Sequence, residues 1–89
     1  MKILCSELYE EQLKEILIRM IEIDYKATKG FKSYLDTIII NIPTKSKKYK
    51  KSIYFDDENI KDVEHQGYTI PFYIDKTNNS YLILGILEK

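Results

Sequence analysis

The hydrophobic period of this 89-residue chain changes once, and that change limits the fold more than any other feature. Before Pro43 the apolar residues recur with helical spacing. After the lysine-rich stretch 44–51 they alternate, as strand residues do. Leu13, Ile16, Leu17, Met20 and Ile21 form one apolar stripe, with Glu10, Lys14, Glu11 and Glu15 on the outer side. Ser6 is placed to cap that helix, and Glu7, Glu10 and Glu11 sit where its dipole favours negative charge. Asp24 and Tyr25 read as a break. A second stripe follows at Ala27, Phe31, Tyr34, Leu35, Ile38, Ile39 and Ile42, slightly weakened by Gly30. Pro43 is expected to close it, because the residue before a proline avoids the helical region. Two amphipathic helices with so short a link pack as an antiparallel hairpin.

The strands are read from shorter signals. The apolar run from Lys2 to Cys5 predicts a first strand at a sheet edge. Residues 44–51 predict a polar loop, and Ile53, Tyr54 and Phe55 are a short apolar run before the acidic turn Asp56, Asp57, Glu58 and Asn59. Residues 60–63 predict a strand, Gln66 and Gly67 a tight turn, and Tyr68, Ile70, Phe72 and Ile74 an alternating strand. Residues 75–80 read as a hairpin loop and 81–87 as one continuous last strand. Pro71 cannot donate to a ladder, so a bulge is expected there. The expected architecture is α+β in the order β-α-α-β-β-β: a helical hairpin packed on one face of a small, mainly antiparallel sheet, all in a single domain over residues 1–89.

Composition narrows the function. Fourteen basic and fourteen acidic residues cancel, so any nucleic-acid contact needs a local patch rather than a global pull. One cysteine permits no intramolecular disulfide, which fits a reducing cytoplasm. The first residues turn polar too early for a signal peptide, and no run is long enough for a membrane span, so a cytoplasmic location is expected.

The order of elements and the wording of the second half resemble the ParE/RelE toxin superfamily over nearly the whole chain. The residues that carry the resemblance are Lys51, Ser52, Ile53, Tyr54 and Phe55, then Ile60, Lys61, Asp62 and Val63, then the stretch 67–75 beginning Gly67-Tyr68-Thr69. The family shows a strand with a basic residue, a Gly-x-Tyr-like turn, a strand ending in an acidic residue, and a last strand rich in Ile and Leu. Here that last strand is 81–87. The resemblance implies the toxin of a type II toxin–antitoxin system, neutralised by a small cognate antitoxin protein. Cys5 and His65 stand alone and no metal-ligand spacing recurs, so no metal is expected, and neither a cofactor, a small-molecule substrate nor a membrane is expected. RelE-like members cut mRNA on the ribosome. ParE-like members poison DNA gyrase.

Metal-free RNA cleavage needs a base, an acid and positive charge at the phosphate. The resemblance implies sheet arginines or lysines and a Tyr or His near the C-terminus. Here the one arginine, Arg19, lies in the first helix, Thr69 and Tyr73 stand where relatives often have arginine, and Gly85, Ile86, Leu87, Glu88 and Lys89 supply no Tyr, His or Arg. Lysine lacks the planar fork that clamps a phosphorane. The ParE-like reading, inhibition of DNA gyrase, therefore stands ahead of an endoribonuclease built on Lys61, His65 and Tyr73. A degenerate member that binds only its antitoxin is the third reading.

Lys45, Lys47, Lys48, Lys50 and Lys51 with Tyr49 and Tyr54 form the densest basic patch, a candidate surface for nucleic acid or an acidic partner segment. A solvated loop explains the same residues more simply, since three acidic residues follow at once. Histidine is a residue type that can serve as a general base, but His65 reads as an exposed turn histidine. Cys5 reads as a small core residue. Tyr9, Tyr25 and Tyr34 on or beside the helices suit either an interface or the rim of a small core.

Overall fold

The computed structural model describes residues 2–89. It contains β1 (Lys2–Cys5), α1 (Glu7–Ile23), α2 (Tyr25–Ile40), α3 (Ile42–Lys45), a 3-10 turn (Ser46–Lys48), β2 (Ile60–His65), β3 (Tyr68–Asp75), β4 (Ser80–Ile83) and β5 (Leu87–Glu88). The Ser6 hydroxyl accepts the Tyr9 amide and donates to the Leu84 carbonyl, capping α1 and tying it to the last strand. Asp24 serves both helices. Its amide closes α1 on the Met20 carbonyl, and its carboxylate accepts the Ala27 amide that opens α2.

Pro43 does not end the second helix. That helix stops at Ile40 with Asn41 as its cap, and Pro43 lies in the first turn of α3, where its missing N–H costs nothing. The expected loop 44–51 is therefore largely helical, running through Lys45 and the 3-10 turn.

The sheet order is β1-β4-β3-β2, with β5 on β3. Only the β1–β4 pair is parallel. β1 is at the edge, as expected. Gln66 and Gly67 both have positive φ, 44° and 87°, the geometry of a two-residue hairpin turn, and they fix the register His65 opposite Tyr68. One face of the sheet, carrying Val63, Ile70, Phe72 and Ile83, packs against Leu13, Ile16, Phe31, Leu35 and Ile39 of the hairpin. Removing such surfaces from water is the main driving force for folding.

Pro71 sits in β3, the central strand, and β3 is not bulged there: its pairing with β2 is unbroken from Tyr68 to Tyr73. The irregularity lies in the opposite neighbour. The Asp62 amide turns away from β3 to the Lys50 carbonyl, so Pro71 directs its nitrogen and carbonyl toward the last strand. That strand is broken at residues 84–86, between β4 and β5. The Pro71 carbonyl accepts the Leu84 amide at 2.9 Å, and no donor is asked of its nitrogen. The expected continuous strand 81–87 is thus two short pieces. The freed Ile86 amide is taken by Gln12 Oε1 on α1 at 2.9 Å.

Candidate functional site

Three regions hold the residues that can do chemistry or make contacts. The first is the lysine segment. Lys45, Lys47, Lys48, Lys50 and Lys51 are all exposed. Tyr49 is half-buried and its ring meets Phe72 edge-on, 5.8 Å between centroids, so it plugs the core rather than offering a stacking face. Lys51 pairs with Asp56 at 3.1 Å and forms an isolated bridge with Lys61. Beyond it the chain displays Ile53, Tyr54 and Phe55, which are 83%, 45% and 41% exposed. The base of this display is anchored. Ser52 donates its amide to the Ile60 carbonyl, and the Ile53 amide donates to Asp62 Oδ2 at 3.0 Å. The other Asp62 oxygen is buried without a partner.

The second region is β2 and β3. Lys61 faces Phe72 across the strands and donates from Nζ to the Ser46 carbonyl at 2.9 Å. His65 is buried rather than exposed. Its Nε2 lies 3.3 Å from the Phe31 carbonyl and its ring sits 4.9 Å from the Phe31 ring, so it joins the turn to α2. Its nitrogen is engaged in structure. Tyr73 faces Ile60, and side chains alternate along a strand, so Tyr73 points to the face opposite Lys61 and His65. It continues there into Leu82 and Leu4. Lys61 and His65 share one face, and Tyr73 does not join them.

The third region is a groove of about 620 Å³ along the hairpin, which the sequence pattern did not single out. Tyr9, Leu13, Leu17 and Ile18 of α1 line it with Ile39 and Ile40 of α2, and Cys5 closes one end. The early residues of α1 lie beside the late residues of α2, as an antiparallel hairpin requires. The signal available in the sequence was Ile18 and Ile40, apolar residues off the buried stripes, both exposed here. Cys5 is exposed, not a core residue, because it leaves the edge strand toward this groove. Burial raises its thiol pKa, and Glu10 and Asp36 add to the effect. Burial also raises the Tyr9 phenol. The amides of Lys2 and Ser6 bond toward β4 and its turn, so the Ile3 and Cys5 backbone groups face the open edge. Tyr25 and Tyr34 are both exposed on α2.

No helix among the described residues is long and apolar enough to cross a membrane. No protein-family model matches the sequence, and no curated protein is significantly similar to it. Solved structures are. A chain of the chromosomal ParDE TA system from P. aeruginosa matches over 99% of this chain and 95% of its own, with a TM-score of 0.73 and 13% identity. A chain of the toxin–antitoxin complex RelBE2 from Mycobacterium tuberculosis matches over 99% and 96%, with a TM-score of 0.60 and 10% identity. The fold of these two chains, an N-terminal strand, a helical pair and a mostly antiparallel sheet, is the fold of this protein.

Proposed function

We propose that the chain is the toxin of a type II toxin–antitoxin pair, of the ParE kind, which inhibits DNA gyrase and is held in check by a cognate antitoxin. The observation that carries this reading is the full-length likeness to a chain of a ParDE system, which is greater than that to the RelBE2 chain. The chemistry agrees with it. Arg19, the one guanidinium, sits on α1 and is exposed there, so the sheet carries none. His65 is committed to Phe31, and Tyr73 lies across the sheet from Lys61. A binding protein needs none of these to converge.

The antitoxin docks along the hairpin groove, with an amphipathic helix between α1 and α2 and an extended segment on the open edge of β1. The groove is apolar at its floor, and Lys14, Lys32, Glu10 and Asp36 line it beside that floor.

Pulse-labelling after induction in a bacterial host tests the target. DNA synthesis is expected to stop first while translation persists. Translation stopping first would overturn the gyrase reading in favour of a RelE-like mRNA endonuclease. Growth unaffected in either respect would leave a chain that only binds its antitoxin.

A further inference from the structure

A second cavity, of about 490 Å³, lies at the end of the sheet where the β3–β4 turn meets the 3-10 turn. Three lysines from three separate elements line it: Lys47 from the 3-10 turn, Lys61 from β2 and Lys76 from the β3–β4 turn. We propose that this cavity is an anion site that takes a terminal phosphate group, such as the 5′-phosphate of an oligonucleotide or pyrophosphate. The inference goes beyond the toxin reading and does not depend on the identity of the target.

The argument rests on which cations are free. The ion pairs found among the described residues use Lys32, Lys51 and Lys89, and none of the three cavity lysines. Lys61 is held in place because one of its three N–H donors is spent on the Ser46 carbonyl, which leaves two for a ligand. A lysine fixed in this way loses less conformational freedom on binding than one in solvent.

Two carboxylates also line the cavity, and they must be weighed. Asp75 is tied back locally, its two oxygens accepting the Asn78 amide at 3.2 Å and Asn78 Nδ2 at 2.8 Å, and these bonds keep it a carboxylate whose charge counts against an anion. Glu58 is exposed, as are Lys47 and Lys76, so solvent screens all three alike and Lys61 is the least exposed cation. Asn59 and Asn79 add amide groups to the lining. The local balance of three cations against two anions makes binding modest. The lysines come from three separate elements and line one partly enclosed cavity, not a run of successive residues along the chain. A cluster gathered in one place suits a compact dianion better than the middle of a strand. Of the basic residues singled out from sequence, only Lys47 and Lys61 take part. Lys76 was not among them, because it stands alone in a turn.

The test is an amide-shift titration of the labelled protein with pyrophosphate, then with a short RNA carrying or lacking a 5′-phosphate. Shifts should centre on Asn59, Lys61, Lys76 and Asn79, and the phosphorylated RNA should bind more tightly than its partner. Lys76→Gln, an exposed change that leaves the Lys61 anchor intact, should weaken pyrophosphate at least about threefold, the order of one partly screened charge contact. Lys61→Gln should weaken it further, and Lys48→Gln, outside the cavity, should leave it unchanged. Equal losses for Lys48→Gln and Lys76→Gln would overturn the proposal, since they would show only diffuse attraction to the lysine segment. Equal binding of the two RNAs, or no saturable shift, would overturn it as well.

Discussion

Replacing Gly85 with alanine probes how the broken last strand is tied to α1. Gly85 is buried, and a Cβ there would lie 2.8 Å from Gln12 Oε1. Its backbone is not among the positive-φ positions, so alanine meets no conformational strain and the whole conflict falls on Gln12. The oxygen that must move is the one that accepts the Ile86 amide at 2.9 Å. Leaving a partly buried amide without a partner costs about 1–3 kcal/mol. Alanine returns about 0.4–1 kcal/mol by restricting the unfolded chain. Gly85→Ala should therefore destabilise by roughly 0.5–2 kcal/mol. At this size that lowers Tm by several degrees, since about 1 kcal/mol corresponds to roughly 4–8 °C. Gln12→Ala removes the acceptor outright and should cost about 1–2 kcal/mol. In the double variant nothing remains to collide with the new methyl group, so it should be no less stable than Gln12→Ala alone. Urea melts followed by circular dichroism, with unchanged m-values, measure the cycle. Additive losses would refute the reasoning, because they would mean that Gly85 and Gln12 act independently.

Three further outcomes are expected. Asp24→Ala removes the cap that opens α2 and should cost about 1 kcal/mol in the same melts, while Asp24→Asn retains most of it. Phe31→Ala empties a fully buried site against His65 and Tyr68 and should cost about 3–5 kcal/mol, comparable with the stability of a small domain. Its amide spectrum should lose dispersion, and a well-dispersed spectrum would contradict the packing described. The raised Cys5 thiol means that the folded state holds the proton more tightly than the unfolded chain does. Its contribution is therefore full below the ordinary value of 9.0 and is lost as the pH rises through the folded value. Alkylation by iodoacetamide near pH 8 should accordingly be slower than that of free cysteine, and a rate equal to free cysteine would refute the assignment.

The elements that could be read directly from sequence are those set by local rules. The Ser6 cap, the Asp24 break and the Gln66-Gly67 turn each depend on two or three neighbouring residues, and each is found where expected. Pro43 was misread because proline is compatible with both the end of one helix and the first turn of the next. Asn41, whose amide and side chain bond back to Thr37 and Ile38, ends the second helix ahead of Pro43 and leaves the proline in the first turn of α3. The break at residues 84–86 had no local mark beyond Gly85. Its cause is Pro71, which is distant in sequence and adjacent only after the sheet has formed. His65 was misjudged for a related reason. It flanks a turn, but the turn abuts α2, and burial there depends on Phe31.

The separation of Lys61 from Tyr73, by contrast, follows from the turn alone. A two-residue turn at Gln66 and Gly67 places His65 opposite Tyr68, and each step back along β2 advances one step along β3. Lys61 must then face Phe72, and Tyr73 must face Ile60. Opposed residues share a face and neighbours do not, so Tyr73 is on the far side of the sheet from Lys61 before any packing is considered. Moving Tyr73 beside Lys61 would need a one-residue slip of β3, which would also turn Ile70 and Phe72 out of the core. Their burial excludes that slip. What the turn cannot supply is the third dimension of the anion cavity. Lys47 comes to the cavity because the 3-10 turn folds back onto β2, where Lys61 bonds to the Ser46 carbonyl, and Lys76 comes to it on the β3–β4 turn. That bond, together with the Asp62 amide on the Lys50 carbonyl and Tyr49 against Phe72, links the helical turn to the sheet, and it is the contact that holds Lys61 for the phosphate proposal.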